Sequence, residues 1–261
     1  MRRLFFELAQ NAVCRAGDTS CASFQKGLKF MSCRDTWQQV AATGAWFAGL
    51  PTTFSEALLA RAEPVSISAG QRLFARGDAP DGLYCVLRGV VRVTATSVSG
   101  QEALQAMLEP PQWFGEIAVF DGAPRTHDAW AQEDCELLRV PQAALLAELA
   151  ERPQHWQELG QLLTQKLRIT FSSVEELSLL PPTQRVAGRL LLIAGGYGTW
   201  TDRSKRVLEV SQEQLGLMLA LSRQTVNQSL RELESRGCIK RSRAAIEVID
   251  AQMLRVARDG I

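Results

Sequence analysis

The chain has 261 residues, 46% hydrophobic and 22% charged, which excludes wholesale disorder and allows one large domain or two ordinary ones. The net charge of +1 hides a gradient: residues 181–261 carry 13 Lys+Arg against 8 Asp+Glu, and residues 1–180 carry 16 against 20. A basic C-terminal third behind an acidic body suggests a nucleic-acid-binding module joined to something else. No run of 18 apolar residues exists, so no transmembrane helix and no membrane partner are expected. The two histidines, His127 and His155, exclude a His-rich zinc site, and no metal is expected. Six irregularly spaced cysteines do not read as a disulfide framework. No nucleophile–base pair or Gly-rich triphosphate loop is found, so the chain is not read as an enzyme.

In chain order, residues 1–34 read as a disordered or untranslated leader, with Met31 an alternative start. Arg2, Arg3 and Leu4 hint at a signal peptide, but Glu7 interrupts the apolar stretch, so a cytoplasmic protein is expected. From Asp35 to Ala62 the pattern is helical: one short helix carries Trp37, Val40, Ala41 and Phe47, and Thr53 or Ser55 caps a second with Leu58 and Leu59. From Pro64 to Pro141 the period changes to two, with glycines at short intervals, the pattern of an antiparallel barrel or sandwich. These flanking helices and strands make one unit over 35–152. A long helix then runs from about Pro153 to Leu179, in a unit over 153–180. Its Trp156, Gly160, Leu163, Leu167, Thr170, Val174 and Leu177 repeat at spacings of 4 and 3, a heptad seam that predicts a parallel two-stranded homodimer.

The last unit, 181–261, opens with Pro181 and Pro182 and a helix through Val186, Leu190, Leu191 and Ile193 that stops at Gly195 and Gly196. Val207–Val210 reads as a strand. Ser211 with Gln214 forms a capping box on a helix whose Leu215, Met218 and Leu219 face a core. Ser222 caps the next helix, whose apolar face is Val226, Leu230 and Leu233. Two such helices joined by a tight turn suit a helix-turn-helix, in which the second helix enters the major groove of double-stranded DNA. Arg223, Gln224, Asn227 and Gln228 then face the bases: Arg suits guanine O6/N7, and Gln or Asn suits adenine N6/N7. Arg231, Arg236, Lys240, Arg241 and Arg243 supply phosphate neutralisation. Ile239 and Ile246–Ile249 suggest a small β-wing. Two-fold symmetry would demand a near-palindromic operator, with half-sites about 34 Å apart.

The run Ser222-Arg223-Gln224-Thr225-Val226 resembles the start of the recognition helix in the CRP/FNR family of bacterial transcription regulators, over about Phe54–Ile249. It departs at Gln224, where the family often has Glu, and at Gln228, where Arg is common. The resemblance implies an α+β architecture: an N-terminal cyclic-nucleotide-binding-like β-roll, a long dimerisation helix and a C-terminal winged helix-turn-helix. It also implies RNA polymerase as a partner.

The segment Trp113–Ala131 contains a glycine, a carboxylate, an arginine nine residues further on and a hydroxyl, groups able to hold a phosphate and a ribose. It is similar to the phosphate-binding cassette of cyclic-nucleotide-binding domains. The resemblance places Gly115 and Glu116 on the ribose and Arg125 and Thr126 on the cyclic phosphate. Two departures stand out. His127 replaces a small residue, and, on the dimer helix, Thr170 is kept while Phe171 replaces the serine that reaches adenine. A ring stacks on a base but cannot make the hydroxyl's hydrogen bond. The expected ligand is therefore a cyclic nucleotide, cAMP first, with a cyclic dinucleotide or an unresponsive pocket as alternatives. Cys14, Cys21 and Cys33 are too widely spaced for an iron–sulfur cluster, no haem ligand stands out, and Cys85, Cys135 and Cys238 read as buried small hydrophobes.

Overall fold

A computed structural model describes residues 33–199, 206–242 and 245–260. The leader expected over 1–34 lies outside the described residues apart from its last two, and Arg243 also lies outside them. The chain opens with α1 (Cys33–Ala41), α2 (Ala45–Ala48) and α3 (Thr52–Arg61). The single helix expected over Trp37–Phe47 is thus two, because Gly44 turns extended (φ −92°, ψ 134°) at the start of α2. The expected cap on α3 is also corrected. The residue before the helix is Pro51, with no side-chain cap, and Thr53 and Ser55 lie inside the helix.

The β-roll follows: β1 (Glu63–Ile67), β2 (Arg72–Phe74), β3 (Gly82–Arg88), β4 (Val91–Thr96), β5 (Glu102–Leu108), β6 (Trp113–Phe114), a short α4 (Ile117–Asp121), β7 (Asp128–Ala131) and β8 (Cys135–Pro141). They pair antiparallel in two sheets, ordered β1-β8-β3-β6 and β2-β7-β4-β5. The apolar run in β3 is explained by burial on both sides. Leu83 and Cys85 pack into a core with Phe54, Leu58, Leu145 and Leu159, while Tyr84 and Val86 pack between the sheets with Phe114, Ala129 and Leu137. Alternating side chains thus feed two cores. Cys85, Cys135 and Cys238 are buried free thiols, as expected.

Helix α5 (Gln142–Glu151) leads into α6 (His155–Leu179), which begins two residues after Pro153. Leu159 and Leu162 on α6 are buried in the core of helices and β3. Another face of α6 carries Leu167, Phe171, Val174 and Leu177, exposed by 48, 66, 55 and 42%. The C-terminal unit comprises α7 (Pro182–Ala194), a 3₁₀ turn at Gly196–Gly198, β9 (Val207–Leu208), α8 (Gln212–Leu219), α9 (Arg223–Ser235), β10 (Ile239–Arg241), β11 (Ile246–Val248) and α10 (Ala251–Asp259). The strand expected over Val207–Val210 is cut to two residues, and Ser211 already caps α8. Helix α10 was not expected. Asp250 caps it by accepting from the amides of Gln252 and Met253, and its Leu254 and Ala257 are buried.

The third core gathers Val186, Leu190, Leu215, Val226, Leu230 and Leu254, together with Leu104 and Met107 of β5. The β4–β5 hairpin is therefore packed into the core of the helix-turn-helix unit. Polar contacts fasten the same junction: Gln112 Nε2 donates to the Gly196 carbonyl at 2.8 Å, and Gln165 Nε2 to that of Gly198 at 2.6 Å.

Between α8 and α9 the turn passes through Ala220 in the left-handed region (φ 50°, ψ 44°), where a Cβ is strained and glycine is not. Ala220→Gly is expected to raise stability by about 1 kcal/mol, read as a higher midpoint in denaturant unfolding. An unchanged or lower midpoint would contradict the strain.

Candidate functional site

Arg125 is the electrostatic centre of the β-roll. It is only 4% exposed. Its Nη2 donates to Asp81 Oδ1 at 2.5 Å and to the Gly82 carbonyl at 2.7 Å, and its Nη1 donates to the Gly115 carbonyl at 3.1 Å. The guanidinium lies 4.4 Å from the Phe74 ring centre. Its Nε is buried without a hydrogen-bond partner among the described residues. A buried guanidinium whose Nε–H is unused suits an anion. Gly115 is required here: its φ is +96°, and a Cβ would stand 2.8 Å from Arg125 Nη1. The backbone of Arg125 is held by the turn at Gly77 and Asp78, whose amide and carbonyl pair with it at 2.8 Å each.

Thr126 is exposed beside Arg125, and its hydroxyl lies 2.9 Å from His127 Nδ1. Burial, with the neighbouring charge of Arg76, lowers the His127 pKa below the ordinary 6.5 against the opposing pull of Asp128. The ring is then neutral at pH 7 and adds no charge beside Arg125.

Glu116 is 3% exposed and pairs with Lys166 of α6, Oε2 to Nζ at 2.6 Å. The same ammonium donates to the Trp113 carbonyl at 2.7 Å. Trp113 stacks on Phe47, ring centres 5.5 Å apart. The ribose-side carboxylate is thereby tied to the long helix. Thr170 and Phe171 lie one turn further along: the Thr170 hydroxyl donates to the Lys166 carbonyl at 3.0 Å, and Phe171 is 66% exposed. Among the described residues, neither makes a hydrogen bond or ring contact with the cassette.

The structure thus brings Gly115 and Arg125 together, pairs Thr126 with His127, and turns Glu116 to Lys166. Reading the sequence missed Asp81 and Lys166. Lys166 sits one turn before Thr170 on the same helix; Asp81 immediately precedes the buried strand β3.

The helix-turn-helix is built by its caps. Ser211 Oγ accepts from the Gln214 amide at 3.1 Å, and Gln214 Oε1 from the Ser211 amide at 2.8 Å. Ser222 Oγ accepts from the Thr225 amide at 3.1 Å, and the two hydroxyls lie 2.8 Å apart. Ser222 and Thr225 thus start α9. Val226, Leu230 and Leu233 are fully buried. Arg223, Gln224, Gln228, Arg231 and Lys240 are exposed, and Asn227 and Arg241 are half-buried. At 100° per residue, Gln224, Gln228 and Arg231 lie opposite the buried face, with Asn227 and Arg223 on the flank. Arg241 is engaged: its Nε donates to Glu234 Oε2 at 2.7 Å, and its Nη1 to Asn227 Oδ1 at 3.1 Å. Hydrogen bonds from the Arg241 amide and side chain hold the Glu234 pKa below its ordinary value.

Removing the cation from a buried pair leaves an uncompensated carboxylate. Lys166→Met should therefore cost about 2 kcal/mol, reduced from the fully buried figure because Lys166 is partly exposed. Adding Glu116→Gln should recover more than half, measured by denaturant unfolding. No recovery would show that the pair is not the cause.

Comparison with known proteins matches both halves of the chain to known domain families. Residues 64–152 match the cyclic nucleotide-binding domain family and residues 184–257 the Crp-like helix-turn-helix domain family. The chain is 31% identical over 193 residues to the Cyclic AMP receptor protein of Thermus thermophilus, covering 74% of this chain and 86% of that protein. It is 29% identical over 217 residues to the CRP-like cAMP-activated global transcriptional regulator of Mycobacterium tuberculosis, covering 83% and 97%. A solved CRP/FNR-family transcriptional regulator from Thermus thermophilus superposes with a TM-score of 0.60 at 27% identity, covering 76% of this chain and 98% of that one. These relatives are regulators rather than enzymes. The chain belongs to the CRP/FNR family and is a DNA-binding transcription regulator carrying a cyclic nucleotide-binding domain.

Proposed function

We propose that this regulator is a cytoplasmic homodimer whose hold on a near-palindromic operator is controlled by a cyclic nucleotide, cAMP foremost, in the β-roll, with RNA polymerase as its partner at the promoter. The observation that carries the reading is Arg125: buried, fixed against Gly115, and left with an unpartnered Nε. Arg125 and Thr126 would hold the cyclic phosphate, Gly115 and Glu116 the ribose, and Thr170 and Phe171 would meet the base. His127, neutral beside Thr126, would border the phosphate end. The names of the two relatives, one a cyclic AMP receptor and one cAMP-activated, support the ligand class.

The units proposed are the β-roll with its helices over 35–152, the dimerisation helix over 153–180 and the reader over 181–261. The exposed stripe of Leu167, Phe171, Val174 and Leu177 on α6 suits a second copy of the same helix. Ligand contact with Glu116 would reach α6 through Lys166. The bend at Leu180–Pro182 would then carry the change to α9. Only the ligand's difference in affinity between the two states moves the equilibrium. A tenfold gain in operator affinity needs about 1.4 kcal/mol of such difference.

One observation favours a second reading, a ligand-independent regulator: Asp81 already supplies Arg125 with a negative charge at 2.5 Å. Calorimetric titration with cAMP, cGMP and cyclic di-GMP separates the two. Micromolar cAMP binding that Arg125→Ala abolishes is expected. Heat of binding retained in that variant would remove Arg125 from the site, and no binding to any of the three would favour the second reading.

A further inference from the structure

The wing sets the polarity of one amide on the DNA-reading helix. Asn227 Oδ1 lies 3.1 Å from Arg241 Nη1. A guanidinium has donors only, so the amide atom facing it is the oxygen, and the NH₂ is left for another partner. Arg241 cannot swing away freely. Its backbone amide donates to Glu234 Oε1 at 2.8 Å and its Nε to Glu234 Oε2 at 2.7 Å. Glu234 stands two helical turns after Asn227 on the same flank of α9. The three side chains are half-buried together between α9 and β10, so solvent competes weakly for these bonds.

We infer that Arg241, clamped by Glu234, is a positioning residue that makes Asn227 a donor-only base reader, selecting guanine or thymine where a free asparagine would select adenine. Adenine needs both ends of the amide, with N6–H meeting Oδ1 and N7 meeting Nδ2. Oδ1 keeps a second lone pair, but an adenine N6–H reaching it would be set beside the guanidinium donors, whose positive charge opposes it. The acceptors of guanine (O6, N7) or thymine (O4) meet the free NH₂ instead, and the nearby guanidinium adds to the attraction. The inference rests on the DNA reading proposed above. It changes what an asparagine at this position means, because its polarity is fixed by a strand that follows the helix.

The test is operator selection from a pool with randomised half-sites, with cAMP present, for the unaltered chain, N227A, N227D and R241M. The unaltered chain should favour guanine or thymine about tenfold at one position per half-site, and N227A should make that position indifferent. N227D keeps the shape and the bond to Arg241 but offers only acceptors. It should reverse the preference at that position toward cytosine or adenine, leaving the other positions unchanged. R241M frees Oδ1 and should move the preference toward adenine; if R241M does not fold, N227D alone decides. Adenine preferred by the unaltered chain, or uniform weakening by N227D with no change of preference, overturns the inference. A pool that no protein enriches overturns the DNA reading itself, and this inference with it.

Discussion

Helix α6 has to satisfy two environments at once. Leu159 and Leu162 bury inward against the first core, and Lys166 and Gln165 reach the cassette at Glu116 and the turn at Gly198. Leu167, Phe171, Val174 and Leu177 face outward. Covering each of these partly exposed side chains is worth on the order of 1–2 kcal/mol. That sum is the drive behind the proposed pairing with a second copy. One helix touches the cassette and the reading unit and carries the outward stripe, and in the proposed account a shift at one of them would be felt at the others.

The cassette explains how a small ligand could exert such a shift. Arg125 is held in place by backbone carbonyls and aromatic faces, so its geometry precedes any ligand. Its charge is balanced by Asp81, which also accepts from the Tyr84 hydroxyl and lies 3.8 Å from Arg139. In the proposed account, a phosphate arriving at Arg125 would trade against that internal partner, and the net gain would be smaller than the strength of either bond. The buried Glu116–Lys166 pair is the one charged link from the cassette to α6 among the described residues.

Most of the fold was legible in the sequence, and for identifiable reasons. The apolar runs of β3 and β8, the capping box at Ser211, the cap at Ser222, and the spacing of Val226, Leu230 and Leu233 are local signals, and they hold. Failures occurred where the local signal was ambiguous. Gly44 breaks a run that looked like one helix, and Pro51 starts a helix that Thr53 or Ser55 seemed suited to cap. Helix α10 carries a cap at Asp250 and an apolar face that buries Leu254 and Ala257, local signals that lie beyond the β-wing, the last element expected. In the site, Gly115 and Arg125 could be paired from their motif. Asp81, Lys166 and Glu234 could not, because each meets its partner across a distance set by tertiary packing. The Arg241–Asn227 contact likewise joins a helix to a later strand, and motif reading assigned the two residues separate tasks.

The central claim is that the occupied β-roll and the reading helix are coupled. Its most direct test is the operator affinity of the full chain, followed by fluorescence anisotropy on a selected palindromic duplex at fixed salt, with and without saturating cAMP. The account predicts that cAMP tightens binding at least tenfold, a coupling of about 1.4 kcal/mol. Equal affinity in the two titrations, with cAMP shown by calorimetry to be bound, would contradict it.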